Sequence, residues 1–195
     1  MNDTTNWHFG VAYWIARDSH GNKIYNNVGY NNRINLRISG DFPLEDDNMT
    51  DNKVKNNIFE GAVTSLFGLE LDARFWDLEN NMTGLGNEIT YNCFGTEYTN
   101  FIMWANNQYK STYDTWETAY GSTTNSVESD PLFTDAANAD FTLKANSPAI
   151  DAGTNLGATY KLDYSGSDQY NDSRWDIGAY RFRKRGGIPV SFFTY

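Results

Sequence analysis

A six-residue pattern of polar and apolar positions occurs three times in the first half of the chain. Asparagine stands at the first and sixth places and an aliphatic residue at the third, in N-K-I-Y-N-N at 22–27, N-K-V-K-N-N at 52–57 and N-E-I-T-Y-N at 87–92. The aliphatic residue alternates with its neighbours as in a short strand with one buried face. We call these segments the first, second and third asparagine phrases.

A second kind of alternating segment precedes each asparagine phrase. V-A-Y-W-I-A begins at Val11, I-N-L-R-I-S at Ile34 and L-E-L-D-A-R at Leu69, and in each the first, third and fifth residues are apolar. The extra chain length between segments falls in polar stretches such as 40–51. A unit of this size, with two short strands and no helix, cannot bury its own apolar face, so we expect neighbouring units to stack.

The repeats predict an all-β fold, a short right-handed parallel β-helix, which is a single-stranded solenoid. We expect Asn27, Asn57 and Asn92 to stack as a ladder of amides at equivalent turns. Cys93 stands where aliphatic residues follow the first two phrases, so its thiol should be buried and unreactive.

The alternation ends after Gly95, and the second half predicts an irregular C-terminal cap that contains a short helix. Asp114 is a candidate N-cap, Glu117 follows three residues later and Gly121 would end the helix. We therefore divide a single domain into parallel β-helix rungs at 1–95, a last rung with the capping region at 96–182, and a tail at 183–195.

Four short motifs carry a resemblance to a known family: D-P-L-F from 130, D-F-T-L from 140, S-P-A-I-D-A-G from 147 and D-I-G-A-Y from 176. Together they resemble the C-terminal part of bacterial right-handed parallel β-helix proteins related to pectate lyases, in which the choice-of-anchor Q type of ending occurs. The resemblance covers about 52–182 and implies a pectate-lyase-like fold. The family commonly has an acidic residue after D-I-G-A-Y, where this chain has Arg181. Asp151 and Asp176 are expected to stabilise turns.

The same resemblance implies an extracellular or cell-surface protein that binds or acts on polysaccharide. The first ten residues lack the basic and apolar regions of a signal peptide.

Composition and charge exclude several classes of partner. Of the 195 residues 16% are aromatic. The net charge of −10 argues against nucleic acid as a partner. No apolar stretch approaches the ~20 residues that span a bilayer, so membrane insertion is not expected. One cysteine and two histidines exclude a cysteine-based or multi-histidine metal centre.

If the three alternating segments lie in register, their outward residues form columns about 4.8 Å apart from strand to strand. One such column would contain Trp14, Arg37 and Asp72. An exposed indole suits the face of a sugar ring, and a guanidinium pairs with a carboxylate through a fixed fork of donors. We therefore predict a polysaccharide site on this face.

The candidate residues divide into two groups. The catalytic candidates are Arg37, Asp72 and Arg74, and the substrate-binding candidates are Trp14, Arg33, Asn35 and Glu70. In the β-helix lyases that this chain resembles, arginine or lysine often neutralises the uronate and removes its proton, with or without calcium. Arg37 would then bind the substrate carboxylate, Arg33 or Arg74 would act as base or support, and Asp72 or Glu70 would bind a cation or transfer a proton.

Several functions stay open at this point. The chain could be a polysaccharide lyase acting on uronate-containing polysaccharide, with a glycoside hydrolase as the second choice of enzyme. It could equally be a non-catalytic module for polysaccharide binding or surface attachment, or the C-terminal fragment of a larger β-helix glycosidase. An upstream β-helix segment could dock at its N-terminal end. The sequence establishes no cofactor, and calcium is the one candidate.

Overall fold

The structure is a computed structural model, and it describes residues 11–16, 19–32, 34–39, 50–62, 73–77, 86–96, 102–104, 108–110, 112–120, 124–169 and 174–183. Short strands dominate these ranges. They are β1 (Val11–Ala16), β2 (Lys23–Tyr25), β3 (Val28–Asn32), β4 (Ile34–Ser39), β5 (Lys53–Lys55), β6 (Ile58–Ala62), β7 (Ala73–Asp77), β8 (Glu88–Thr90), β9 (Ile102–Trp104), β10 (Gln108–Lys110), β11 (Phe133–Asp135) and β12 (Asp140–Leu143). The α-helix α1 spans Tyr113–Tyr120.

The asparagine phrases lie side by side in the register that the repeat predicts. Strands β2, β5 and β8 form a parallel sheet in which Lys53 lies between Lys23 and Glu88. Strands β3 and β6, which follow the first two phrases, pair in parallel with Val28 opposite Ile58. The predicted alignment of the phrases is therefore confirmed.

Hydrogen bonds between stacked asparagines join the phrases. The backbone N–H of Asn27 donates to Asn57 Oδ1 at 3.1 Å, and the N–H of Asn57 donates to Asn92 Oδ1 at 3.0 Å. The side-chain amides of Asn27 and Asn57 donate to the same two oxygens. Asn57 and Asn92 are fully buried. The predicted amide ladder is confirmed, and we call it the asparagine ladder.

The first places of the phrases form a second row of the same ladder. The N–H of Asn22 donates to Asn52 Oδ1, and the N–H of Asn52 donates to Asn87 Oδ1. At the far end the row of sixth residues stops, because the N–H of Asn92 donates to the hydroxyl of Ser126.

The predicted alignment of the third alternating segment is wrong. We expected the segment that begins at Leu69 to lie beside Ile34, but Ala73 is the residue opposite Ile34, and the paired strand is β7. The shift is four residues, an even number, so each side chain of this strand still points to the same face of the sheet. Alternation alone favours the predicted register, since the observed one places Asp77 rather than Ala73 opposite Ile38. Arg37 consequently pairs with Trp76 rather than with Asp72.

The prediction of a short, pectate-lyase-like right-handed parallel β-helix is also wrong. The described strands form small separate sheets: β1-β4-β7-β9-β10, β2-β5-β8, β3-β6 and β11-β12. Strand β10 returns antiparallel to β9, and β11 pairs antiparallel with β12. A solenoid adds a parallel strand to every sheet at each turn, whereas here β10 and β12 each add an antiparallel neighbour.

The short helix of the second half is present, with a different N-terminal residue. Thr112 takes the capping place, because its hydroxyl accepts a hydrogen bond from the N–H of Thr115 at 3.2 Å. Asp114 lies within the first turn of α1. Tyr113 and Trp116 of this helix are fully buried and pack on the aromatic ring of Phe94 or on each other.

Two apolar clusters hold the described parts together. The first contains Ile15, Leu36, Ile38, Val54, Phe59, Ile89, Phe94, Tyr113 and Trp116. The second contains Ile58, Cys93, Phe133, Leu143, Ala149 and Ile177. Cys93 is fully buried, as predicted, and its thiol donates to the carbonyl oxygen of Ser129 at 3.3 Å.

The D-I-G-A-Y motif builds a turn on the second cluster. The Asp176 carboxylate accepts the N–H of Asp151 at 2.8 Å and the N–H of Phe182 at 2.6 Å, which confirms its structural role. Gly178 has a φ of 108°, and a Cβ there would lie 2.6 Å from Ile58 Cδ1. Glycine is therefore needed at 178 for both its backbone conformation and its size.

We expect Asn57→Asp to lower the free energy of unfolding at neutral pH by about 3–5 kcal/mol, because it places a carboxylate among buried acceptors that need amide donors. Asn57 Nδ2 donates to the carbonyl oxygens of Ile24 and Lys55 and to Asn92 Oδ1. Urea unfolding measures the loss, with Asn146→Ala in an exposed turn as control. A loss below about 1 kcal/mol would contradict a structural role for the ladder.

Candidate functional site

An open cleft of about 340 Å³ lies where the chain around 157–164 crosses the end of β2. Its lining combines aromatic, aliphatic and polar side chains. The lining residues are Tyr25, Asn26, Thr159, Tyr160, Leu162, Asp163 and Tyr164.

The fifth residues of the first two phrases hold the crossing segment against the sheets. Asn26 and Asn56 have left-handed backbones, with φ of 54° and 57°, which asparagine tolerates well. Asn56 exchanges two hydrogen bonds with the backbone of Thr154, at 2.8 and 2.9 Å. Asn26 Nδ2 donates to the carbonyl oxygen of Tyr160 at 3.3 Å. The corner of each phrase therefore positions one end of the segment that walls the cleft.

Tyrosine rings form the sides of the cleft. The rings of Tyr25 and Tyr160 meet edge to face, with centroids 5.1 Å apart and an interplanar angle of 89°. Tyr164 packs in the same manner on Tyr180 at 5.5 Å. Leu162 is 55% exposed and Tyr164 is 81% exposed, and they are the large apolar side chains most open to solvent in the described residues. Exposed apolar groups gathered beside a cleft are typical of binding sites.

A lysine stands at the rim of the cleft. The Lys23 ammonium lies 5.7 Å from the centroid of the Tyr160 ring and 3.5 Å from its hydroxyl. The neighbouring Lys53 and Lys55 are both paired with Glu88. Hydrogen bonds from these two lysines hold the pKa of Glu88 below its usual value. Within the described residues Lys23 has no carboxylate partner, so its charge faces the cleft and solvent.

Asp163 anchors the loop that carries the exposed apolar residues. Its carboxylate accepts hydrogen bonds from the N–H groups of Ser167 and Arg181 and from the hydroxyl of Ser165. Burial raises the pKa of Asp163, but these hydrogen bonds lower it by more, so the net pKa lies below the usual value. Both oxygens are engaged, which suits a structural carboxylate better than a general base.

The side-chain oxygen of Asn26 is a buried acceptor at the cleft. Within the described residues it receives no hydrogen bond, whereas the equivalent oxygen of Asn56 accepts the N–H of Thr154. A buried acceptor without a donor is costly. A ligand hydroxyl is the kind of group that would satisfy it.

The predicted site residues on β1 and β4 lie elsewhere, and two of them are buried. Asn35 is fully buried, and its Nδ2 donates to the carbonyl oxygens of Glu60 and Gly61. Arg37 is 6% exposed, and its guanidinium lies 4.5 Å from the ring centroid of the half-buried Trp14. The expectation that Asn35 and Arg37 point into solvent is therefore wrong, because this face of β4 is covered.

Of the other predicted site residues, only Arg74 falls within the part of the chain that the structure describes. Arg74 lies in β7, while Arg33, Glu70 and Asp72 fall outside the described residues. Their catalytic and binding roles stay predictions. The cleft itself was missed at the sequence level. The available signal was the alternation of Tyr160, Leu162 and Tyr164 within a segment that we assigned to the cap.

Comparisons with known proteins give no further identification: no family model matches the chain, and neither a curated protein nor a solved structure is found to match it. The resemblance to proteins related to pectate lyases accordingly stays a prediction.

Membrane-spanning helices and clustered metal ligands are both absent from the described residues. No helix there is both long enough and apolar enough to cross a membrane. The same ranges hold no group of three or more histidine, cysteine, aspartate or glutamate side chains placed to bind a metal ion.

Asp163→Asn should destabilise the protein most at neutral pH. The depressed pKa of Asp163 means that its carboxylate stabilises the fold above the usual aspartate value of 3.8, and that this contribution is lost as the pH falls through the folded-state pKa. The difference in unfolding free energy between wild type and variant should shrink on acidification below this value. A difference that does not change with pH would show that Asp163 does not anchor the loop as a carboxylate.

Proposed function

We propose that the protein is a non-catalytic polysaccharide-binding module and that the tyrosine cleft is its sugar site. The observation that carries this proposal is the exposure of Leu162 and Tyr164 beside the paired rings of Tyr25 and Tyr160. Aromatic rings offer flat apolar faces with a polar edge, which suits the apolar faces and hydroxyl edges of sugar rings.

The size and polarity of the cleft support this proposal. Its volume of about 340 Å³ lies at the lower end of the range for small-ligand sites, which fits one or two sugar units. The cleft is open, so a longer chain could enter and leave it along the surface. Asn26 Oδ1 and the hydroxyls of Thr159 and the tyrosines supply the few polar groups that would orient a sugar.

Charge favours an acidic sugar over a neutral one at this site. Lys23 lies at the rim with its ammonium uncompensated by any described carboxylate, and a uronate carboxylate would be a natural partner. The net charge of −10 repels acidic polymers at long range, so the interaction depends on this local cation. Because the ligand is a polymer, we place the site of action outside the cell or at its surface.

The chemistry of the cleft favours binding over hydrolysis. Glycoside hydrolysis uses a pair of carboxyl groups on either side of the bond to be cleaved. Asp163 is the one acidic residue in the lining, and its oxygens are engaged by Ser165, Ser167 and Arg181.

We expect Tyr164→Ala to weaken polysaccharide binding by about tenfold, since it removes an exposed ring of the kind that contributes about 1–2 kcal/mol at such sites. Tyr164→Phe keeps the ring and should bind within about twofold of wild type. Titration calorimetry against a panel of acidic and neutral polysaccharides measures both. Binding by Tyr164→Ala that equals wild-type binding would remove the cleft as the site.

Lys23→Gln tests the preference for acidic sugars. For a uronate polymer, affinity should fall severalfold and the dependence of affinity on salt should become shallower, while affinity for a neutral polymer of the same size should not change.

The wild-type protein should not cleave uronate polymers. Cleavage by a lyase would produce unsaturated uronates, which are measured by their ultraviolet absorbance. An increase in that absorbance would instead establish a lyase.

A further inference from the structure

The asparagine ladder has two unlike ends. At the late end, the N–H of Asn92 donates to Ser126 Oγ, and the N–H of Val127 donates to the carbonyl oxygen of Asn92 at 2.7 Å. The early end is formed by β2 and β3. Each of these strands has one hydrogen-bonded neighbour among the described strands, which is β5 for β2 and β6 for β3.

The steps of the ladder all run in the same direction. The backbone N–H of the earlier asparagine donates to Oδ1 of the later one, and at Asn22, Asn27 and Asn57 the side-chain amide donates to the same oxygen. The side-chain amide of Asn52 donates to the carbonyl oxygen of Ser19. In return, the N–H of the residue after the later asparagine donates to the earlier carbonyl oxygen, as Lys53 does to Asn22 and Ile58 to Asn27.

This direction determines which groups are left over at the early end. Asn22 Oδ1 and Asn27 Oδ1 occupy the places at which Asn52 and Asn57 accept two N–H groups each, yet no described residue donates to them. The N–H groups of Lys23 and Val28 occupy the donor places of Lys53 and Ile58. The early end therefore offers two acceptors and two donors, spaced as in a complete step.

The apolar core is also incomplete at this end. Ile24 and Val28 are only half-buried, whereas Val54 and Ile58 in the next phrase are each 1% exposed. One further strand with an aliphatic residue at the third place would cover Ile24 as Val54 does on its other side. Burial of Ile24 by this strand would contribute the binding free energy that is usual for removing aliphatic surface from water.

Lys23 gives the early end a charge preference. In the row of second residues Glu88 lies beside Lys53 and pairs with it at 2.8 Å, while Lys53 lies beside Lys23 with the same charge. An incoming strand would place its own second residue beside Lys23. An acidic residue there would repeat the pairing of Glu88 with Lys53, whereas a basic one would be repelled. A lysine on an edge strand also discourages pairing with unmatched strands.

We propose that this edge binds an extended segment of another polypeptide that lies parallel to β2 and carries asparagine at the first and sixth places, an acidic residue at the second and an aliphatic residue at the third. Addition of a strand to an exposed sheet edge is a common mode of peptide recognition. Here the backbone N–H and amide groups of the two incoming asparagines donate to Asn22 Oδ1 and Asn27 Oδ1. The N–H groups of Lys23 and Val28 donate to the carbonyl oxygens of the same two asparagines.

The third phrase of the chain itself supplies a probe with these four features. A fluorescent peptide of residues 86–96 with Cys93→Val contains asparagine, glutamate, isoleucine and asparagine at the required places. Fluorescence anisotropy should show saturable binding to the full chain. A peptide with both ladder asparagines changed to alanine should bind about tenfold more weakly or worse, because it loses the side-chain donors at two steps.

Protein variants locate the peptide on the edge. Asn22→Ala should weaken binding severalfold, and the matched control Asn146→Ala, in an exposed turn, should leave it unchanged. Lys23→Glu should weaken binding of the glutamate peptide and strengthen binding of the same peptide with lysine at the second place. Equal unfolding midpoints confirm that the variants remain folded.

Three results would each overturn the proposal: equal affinity for the parent and alanine peptides, no reversal of the charge preference by Lys23→Glu, or no binding at millimolar peptide. The two proposals fail separately, because Tyr164→Ala changes the cleft and leaves Asn22 and Asn27 in place, whereas Asn22→Ala changes the edge and leaves the tyrosine rings in place; Lys23 belongs to both sites.

Discussion

The hydrogen bonds between buried asparagine amides are the constraint on which the described structure depends. An amide taken out of water must find partners for both its oxygen and its nitrogen. Asn57 meets this demand by donating to its own strand, to the phrase before and to the phrase after. A slip of one residue would leave several buried polar groups unpaired at once. The ladder therefore fixes the register of the parallel strands more firmly than aliphatic packing would, since Val54 and Ile89 are interchangeable in shape to a first approximation.

The same constraint accounts for the position of the cleft. Each phrase turns at its fifth residue, which has a left-handed backbone; this residue is asparagine in the first two phrases, where the conformation costs little, and Tyr91 in the third. Because hydrogen bonds of the ladder hold the sixth residue, the side chain of the fifth residue points away from the core at a fixed position. Asn56 and Asn26 use this position to hold the backbone of Thr154 and Tyr160. The cleft therefore depends on the spacing of the turns at Asn26 and Asn56. The asparagine ladder fixes this spacing and with it the positions of the tyrosines.

Periodicity predicted the features that are local in sequence and left out those that depend on distant contacts. The pairing of the phrases, the amide ladder, the buried thiol of Cys93 and the short helix near residue 114 follow from patterns of six to eight residues. The register of β7 could not be obtained this way, since alternation favours the segment that begins at Leu69, whereas the observed register places Asp77 opposite Ile38. The fold class was predicted by extending the repeat, and the antiparallel pairs β9-β10 and β11-β12 interrupt it. The cleft joins Asn26 and Tyr160, which are 134 positions apart, and no short pattern encodes that contact.

A ladder of identical amides also has a polarity that ordinary sheet edges lack. Backbone groups alone would accept almost any strand, but the asparagine oxygens at the early end select for donors at two places, the first and sixth of a phrase. The late end is closed by Ser126, whose short hydroxyl accepts the N–H of Asn92. The row of asparagines therefore ends at Ser126 with a change of side chain, and at the early end the charge of Lys23 limits which strand can be added. Specificity at this edge would come from the need to satisfy several buried polar groups together, since a strand that lacks one asparagine leaves its counterpart without a donor and loses more than a single hydrogen bond.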